Sequence, residues 1–130
     1  MNVFPVNDSR AVFWENESLY QCVLEDFKNA KFIGIMTYNI SPRTDSCLLN
    51  FLKDACQNET NAVVVTNIPK RFPTYFKEQY AVAAKDMIDL YIRQLDPKNY
   101  GMRLCPYFAF HNHAKIIMTE NIAYWGSSNP

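Results

Sequence analysis

The sequence predicts an α/β fold: a mixed β-sheet flanked by helices on both faces. Helical and extended apolar segments alternate along the chain, which is how a sheet covered by helices is written in sequence. The extended segments are short, continuous apolar runs rather than alternating ones, the pattern of strands buried on both sides. Scale agrees. The 130 residues, 48% of them hydrophobic, suffice for one core and not for two.

The elements follow in order. The opening residues, MNVFPVNDSR, hold a Pro, an Asp and an Arg and lack a basic start leading into an apolar run, so no secretory signal is expected. After Ser18, residues Leu19, Cys22, Val23, Phe27 and Ala30 fall on one face at helical spacing. KFIGIMTYNI then reads as a buried strand, broken by Ser41, Pro42 and Arg43. Asp45 suits the N-cap of a second helix whose apolar stripe is Leu48, Leu49, Leu52, Ala55 and Cys56. AVVVTNI is a second buried strand, stopped by Pro69. Pro73 suits the first turn of a long helix reaching about Leu95, with Phe76, Tyr80, Ala83, Met87 and Leu90 at helical spacing. Pro97 and Gly101 punctuate its exit, and MRLCPYFAF, HAKIIM and IAYW are three extended segments close together. No repeat, low-complexity tract or linker divides the chain.

Composition narrows the function. Thirteen Lys and Arg balance thirteen Asp and Glu, so a strongly basic nucleic-acid glove is not indicated and any phosphate must be held by a few local cations. No stretch approaches eighteen apolar residues, so no membrane-spanning helix is expected. The four cysteines, Cys22, Cys47, Cys56 and Cys105, show no metal-ligand spacing. Three of them sit among apolar neighbours, and reduced structural thiols are expected rather than a disulfide or zinc framework. A cytoplasmic protein follows as the expectation.

Chemistry concentrates at the end of the chain, in HNHAKIIMTENIAYWGSSNP. Side chains alternate along a strand, so His111, His113 and Lys115 share one face, while Ala114, Ile116 and Met118 would turn to the core. Same-face neighbours lie about 6.6 Å apart, and an imidazole and a long ammonium at that spacing can reach one phosphate. A turn over Thr119, Glu120 and Asn121 would pair Met118 with Ile122, Ser127 with His113 and Asn129 with His111. The hydroxyl and the amide then join the same patch. A two-residue turn would shift that register by one.

These residues, from His113 to Asn129, resemble the phosphodiesterase motif of the phospholipase D superfamily: His-x-Lys, an acidic residue, Gly-Ser, then Asn. Here they are His113, Lys115, Glu120, Gly126, Ser127 and Asn129. The motif covers only the last part of the chain, and position 120 holds Glu where the family has Asp. The resemblance implies a phospholipase D-like domain spanning residues 1–130 and a metal-independent hydrolase without a cofactor. His113 would attack phosphorus and form a phosphohistidine, with Lys115, Ser127 and Asn129 holding the phosphate oxygens. Glu120 completes the catalytic set, and its place at the turn suits it to bracing or orienting the site. A second histidine must protonate the leaving oxygen. The family supplies it from a second motif, so a homodimer or the rest of a longer chain is the implied partner. His111 lies too close in sequence to His113 to substitute well. The early stop at Pro130 suggests the N-terminal part of a longer protein, and hence an incomplete domain.

Three functions compete. A nuclease is favoured, because a single motif in a small chain resembles the dimeric nucleases of the family and no amphipathic membrane-binding helix is evident. A phospholipase or phosphatidyltransferase would need a groove for acyl chains. A non-catalytic phosphate-binding or dimerisation domain would account for Glu120. Tyr75, Phe76 and Tyr80 are assigned to the core and helix surface over a base-stacking platform. Lys70, Arg71 and Lys77 are assigned to a solvated loop over a backbone-phosphate contact.

Overall fold

The structure, a computed structural model, describes residues 2–6, 9–13, 20–38, 40, 47–67, 85, 89–90, 92–109 and 112–126. Strands β1 (Asn2–Val6) and β2 (Ser9–Phe13) pair antiparallel as a two-stranded sheet, with Val6 opposite Ser9. This hairpin is not foreseen from the sequence. Pro5 carries no N–H and weakens the strand signal of its segment.

Helix α1 (Tyr20–Asp26) runs into a single 3₁₀ turn, Phe27–Asn29. Of the expected stripe, Val23, Phe27 and Ala30 are buried and Cys22 is exposed, with Leu24 buried beside them; Leu19 lies outside the described residues. Strand β3 (Phe32–Thr37) follows, then helix α2 (Cys47–Gln57) and strand β4 (Asn61–Asn67). All five expected stripe residues of α2 are buried. The expected cap Asp45 lies outside the described residues, as do Pro73, Phe76, Tyr80, Ala83 and Met87 of the long helix. Residues 85, 89–90 and 92–94 of that segment are helical, and Leu95 after them is buried.

The chain then makes a 3₁₀ turn at Pro97–Tyr100, where the Asp96 side chain accepts a hydrogen bond from the Lys98 N–H. Gly101 closes it at φ 60°, a left-handed conformation that glycine adopts without steric cost. Strands β5 (Leu104–Ala109), β6 (Lys115–Thr119) and β7 (Ala123–Trp125) complete the fold, matching the three expected extended segments.

The main sheet is mixed, in the order β5-β4-β3-β6-β7. β3, β4 and β5 run parallel to one another, β6 adds antiparallel to β3, and β7 adds antiparallel to β6. One core joins α1 and α2 to one face of this sheet, through Ile33 and Ile35 of β3, Ala62 and Val64 of β4, Leu104 of β5 and Ile117 of β6. Leu95 and Tyr100 belong to the same core.

One expectation needs correction here. The strands are not buried on both faces: Phe32 and Met36 of β3 are 41% and 40% exposed, and Met118 of β6 is 39% exposed. α1 and α2 pack on one face of the sheet, and most of the expected long helix lies outside the described residues. A run such as FIGIM cannot reveal this, because both faces carry apolar side chains whether or not a helix covers them. The four thiols are free, as expected, but only Cys56 is buried, and burial pushes its pKa up to about 11. No described helix is long and apolar enough to cross a membrane.

Candidate active site

In a sheet with parallel strands, the crevice beyond their carboxyl ends is the usual place for a ligand. Here β3, β4 and β5 end at Thr37, Asn67 and Ala109, and the chain returns across these ends at residues 112–114 before entering β6. Asn67, almost fully buried, holds the return. Its Nδ2 donates to the Asn112 carbonyl at 2.7 Å, and its Oδ1 accepts from the Asn112 N–H at 2.9 Å. The Asn112 side chain extends the clasp, donating to the Thr37 carbonyl at 3.2 Å and accepting from the Ala114 N–H at 2.9 Å. His113 sits in the middle of this pinned segment.

The His113 side chain is exposed and stacks on Tyr38, with ring centroids 5.2 Å apart and planes 14° from parallel. Lys115, half-buried, opens β6 opposite Thr37, and its carbonyl accepts from the Gly126 N–H at 3.2 Å. Thr37 in turn lies opposite Thr66, and both are fully buried. The Thr66 hydroxyl has no hydrogen-bond partner. His113 and Lys115 therefore occupy the same end of the sheet. Ser127, Asn129 and His111 lie outside the described residues, and so do Lys70, Arg71, Tyr75, Phe76, Lys77 and Tyr80.

The β6–β7 register differs from the expected one. Met118 faces Ala123 rather than Ile122, so the turn is the two residues Glu120 and Asn121. The faces also exchange: Ile117 and Thr119 enter the core, Met118 is exposed and Ile116 half-buried. Lys115 thus shares the helix-covered face with Ile117. The physical cause is Thr119. Its hydroxyl donates to Asp26 Oδ2 at 2.6 Å and accepts from the N–H groups of Asn121 and Ile122, both at 3.1 Å. A polar residue satisfied three times can be buried, and the turn closes one residue earlier than its polarity suggests.

Glu120 lies at the opposite end of β6 from Lys115, about 16 Å away at the usual rise along a strand. Its carboxylate accepts from the backbone N–H groups of Lys31 at 2.7 Å and Phe32 at 3.1 Å, tying the hairpin tip to the start of β3. The Lys31 amide, followed by its own and the Phe32 amide, lowers the Glu120 pKa, with help from the Lys31 charge. Hydrogen bonds to the ionised form favour it. With the folded pKa depressed, the stabilisation is fully present above the unfolded value and is lost as pH falls through the folded one. Glu120→Gln is therefore expected to lose less melting temperature than the native chain on acidification below about pH 5. Thermal melts across an acid series check this, and parallel curves for the two proteins would refute it.

Three residues that shape this site were not singled out from the sequence: Tyr38, Asn67 and Asn112. Asn67 reads only as a member of the buried strand AVVVTNI, and Asn112 only as the residue between two histidines. Only tertiary pairing joins them. In comparisons with protein-family models and with curated proteins, nothing matches the chain.

Proposed function

We propose that the chain is a phosphodiesterase of the phospholipase D type, acting on nucleic acid through a phosphohistidine intermediate. The observation that carries this reading is the placement of His113 and Lys115 together at the carboxyl ends of parallel strands, on a segment clasped by Asn67.

An imidazole nitrogen of His113 attacks phosphorus; the P–N bond forms as the bond to the leaving oxygen breaks, and that oxygen takes a proton from a second histidine. Water then attacks the phosphohistidine, giving its proton back to the second histidine as the P–N bond breaks. Lys115 balances charge on the nonbridging oxygens, where a fixed cation matters most in the transition state. Ser127 and Asn129 take their proposed roles as hydrogen-bond donors to those oxygens from the motif, and Glu120 braces the β6–β7 hairpin against the start of β3. The second histidine comes from the partner protomer of a homodimer or from another part of a longer chain.

The chain is expected to cut single- or double-stranded DNA in the presence of EDTA. Cleavage of a phospholipid with no cleavage of either DNA would replace the nuclease by a lipase. A chain that binds phosphate and turns over neither substrate would be the non-catalytic domain. Bis(4-nitrophenyl) phosphate separates the steps, because nitrophenolate leaves without needing a proton and so reports attack by His113 without the second histidine.

A further inference from the structure

We propose that Tyr38 is a positioning residue for His113, holding the imidazole in the one orientation from which it attacks phosphorus. The proposal rests on the phosphodiesterase reading and adds a residue to it.

His113 is exposed, and among the described residues no hydrogen bond holds either of its ring nitrogens. An exposed histidine left to itself samples three staggered χ1 wells and a broad χ2. Attack demands a narrower state, since an error of about 1 Å in a reacting atom can cost two orders of magnitude in rate. Something must choose the rotamer, and the Tyr38 ring is the group in contact.

The geometry suits that task. Centroids 5.2 Å apart with planes 14° from parallel describe an offset stack, a favoured aromatic arrangement. The lone pair of an imidazole nitrogen lies in the ring plane. Stacking covers a face of the ring and leaves its edge, where attack originates, free.

Tyr38 is itself well placed to act as a fixed wall. It follows Thr37, which is paired with Thr66 on one side and Lys115 on the other. The Thr37 carbonyl also receives the Asn112 side chain. Both rings are therefore carried by backbone tied to the same strand end, one residue after Thr37 and one after Asn112. The Tyr38 hydroxyl plays no part in this account, so phenylalanine should serve as well.

Tyr38→Leu and Tyr38→Phe test it, and a ring 40% exposed can be replaced without opening the core. Both variants are assayed on bis(4-nitrophenyl) phosphate and on an oligonucleotide, and the His113 ring protons are followed by NMR. Tyr38→Leu is expected to lower kcat about three- to tenfold on both substrates with KM unchanged, the loss that follows when one held rotamer becomes three. Tyr38→Phe is expected to restore the native rate. The His113 ring protons should be shifted upfield by the neighbouring ring in the native chain and in Tyr38→Phe, and return downfield in Tyr38→Leu.

An unchanged kcat in Tyr38→Leu overturns the proposal, and so does a loss confined to KM for the oligonucleotide, which would make Tyr38 a base platform. Identical His113 shifts in the native and Leu chains overturn it as well. A native chain that turns over no diester sinks the phosphodiesterase reading, and the positioning role falls with it. Native turnover with an indifferent Tyr38→Leu sinks the positioning role alone.

Discussion

His113→Ala is expected to reduce phosphodiester turnover by about six orders of magnitude, the scale seen when a covalent nucleophile is removed and only binding groups remain. On the proposed mechanism the substitution deletes the atom that forms the P–N bond, so neither half of the reaction could proceed through the covalent route. Lys115 and the hydrogen-bond donors would still bind the substrate, and KM should change little. Folding is not at stake, because the side chain is exposed and its contact is a single offset stack with Tyr38. The melting temperature should therefore stay near native while activity vanishes. Trapping adds an independent reading: quenching the native chain on labelled substrate in alkaline detergent should leave the labelled phosphoryl group on protein, stable in base and released by acid, and the Ala variant should carry none. Residual turnover above about one part in a hundred would remove His113 from the nucleophile role.

The sequence made some of this geometry legible and hid the rest for definable reasons. Helix α2 was readable because Leu48, Leu49, Leu52, Ala55 and Cys56 keep helical spacing over three turns, and all are buried. Strands β3 to β7 were readable as extended segments, because β-branched and aromatic residues cluster in them between Pro, Gly and Asn. Sidedness was not readable. Ile116, Ile117 and Met118 are all apolar, so the burial of Ile117 and exposure of Met118 are decided by contacts from α1 and by Thr119, whose hydroxyl is satisfied by Asp26, a residue 93 positions away. Register followed the same logic, slipping by one once Thr119 belonged to the strand. His113 and Lys115 could be paired from their spacing alone, being two positions apart on one segment. Tyr38 and Asn67 could not, because their relation to that segment passes through the parallel crossover that brings β4 beside β3.

Asn67 gives the sharpest link between fold and chemistry. Asn67→Ala is expected to cost about 2–4 kcal/mol of stability, since it removes two good hydrogen bonds and leaves the Asn112 N–H and carbonyl in partly buried surroundings without their partners. It should also lower kcat, by about ten- to a hundredfold, because the segment carrying His113 is no longer fixed at the strand ends. Asn67→Asp makes the same point without a cavity. Asp has the same shape, but ionised it presents an oxygen to the Asn112 carbonyl where the amide Nδ2 now donates at 2.7 Å. Protonated, it recovers both bonds, its O–H donating to that carbonyl and its other oxygen accepting from the Asn112 N–H. Burial and the facing carbonyl both favour the neutral acid, so the folded pKa lies above the unfolded one. The bonded acid then stabilises the fold fully below the unfolded value, and that stabilisation is lost as pH rises through the folded value. Relative to the native chain, the Asp variant should be weak at neutral pH and approach native stability near pH 4 or below. Chemical denaturation at a series of pH values measures this. A deficit that stays constant with pH would mean that the side chain at position 67 does not hold Asn112 through its amide, and that the segment bearing His113 is fixed by something else.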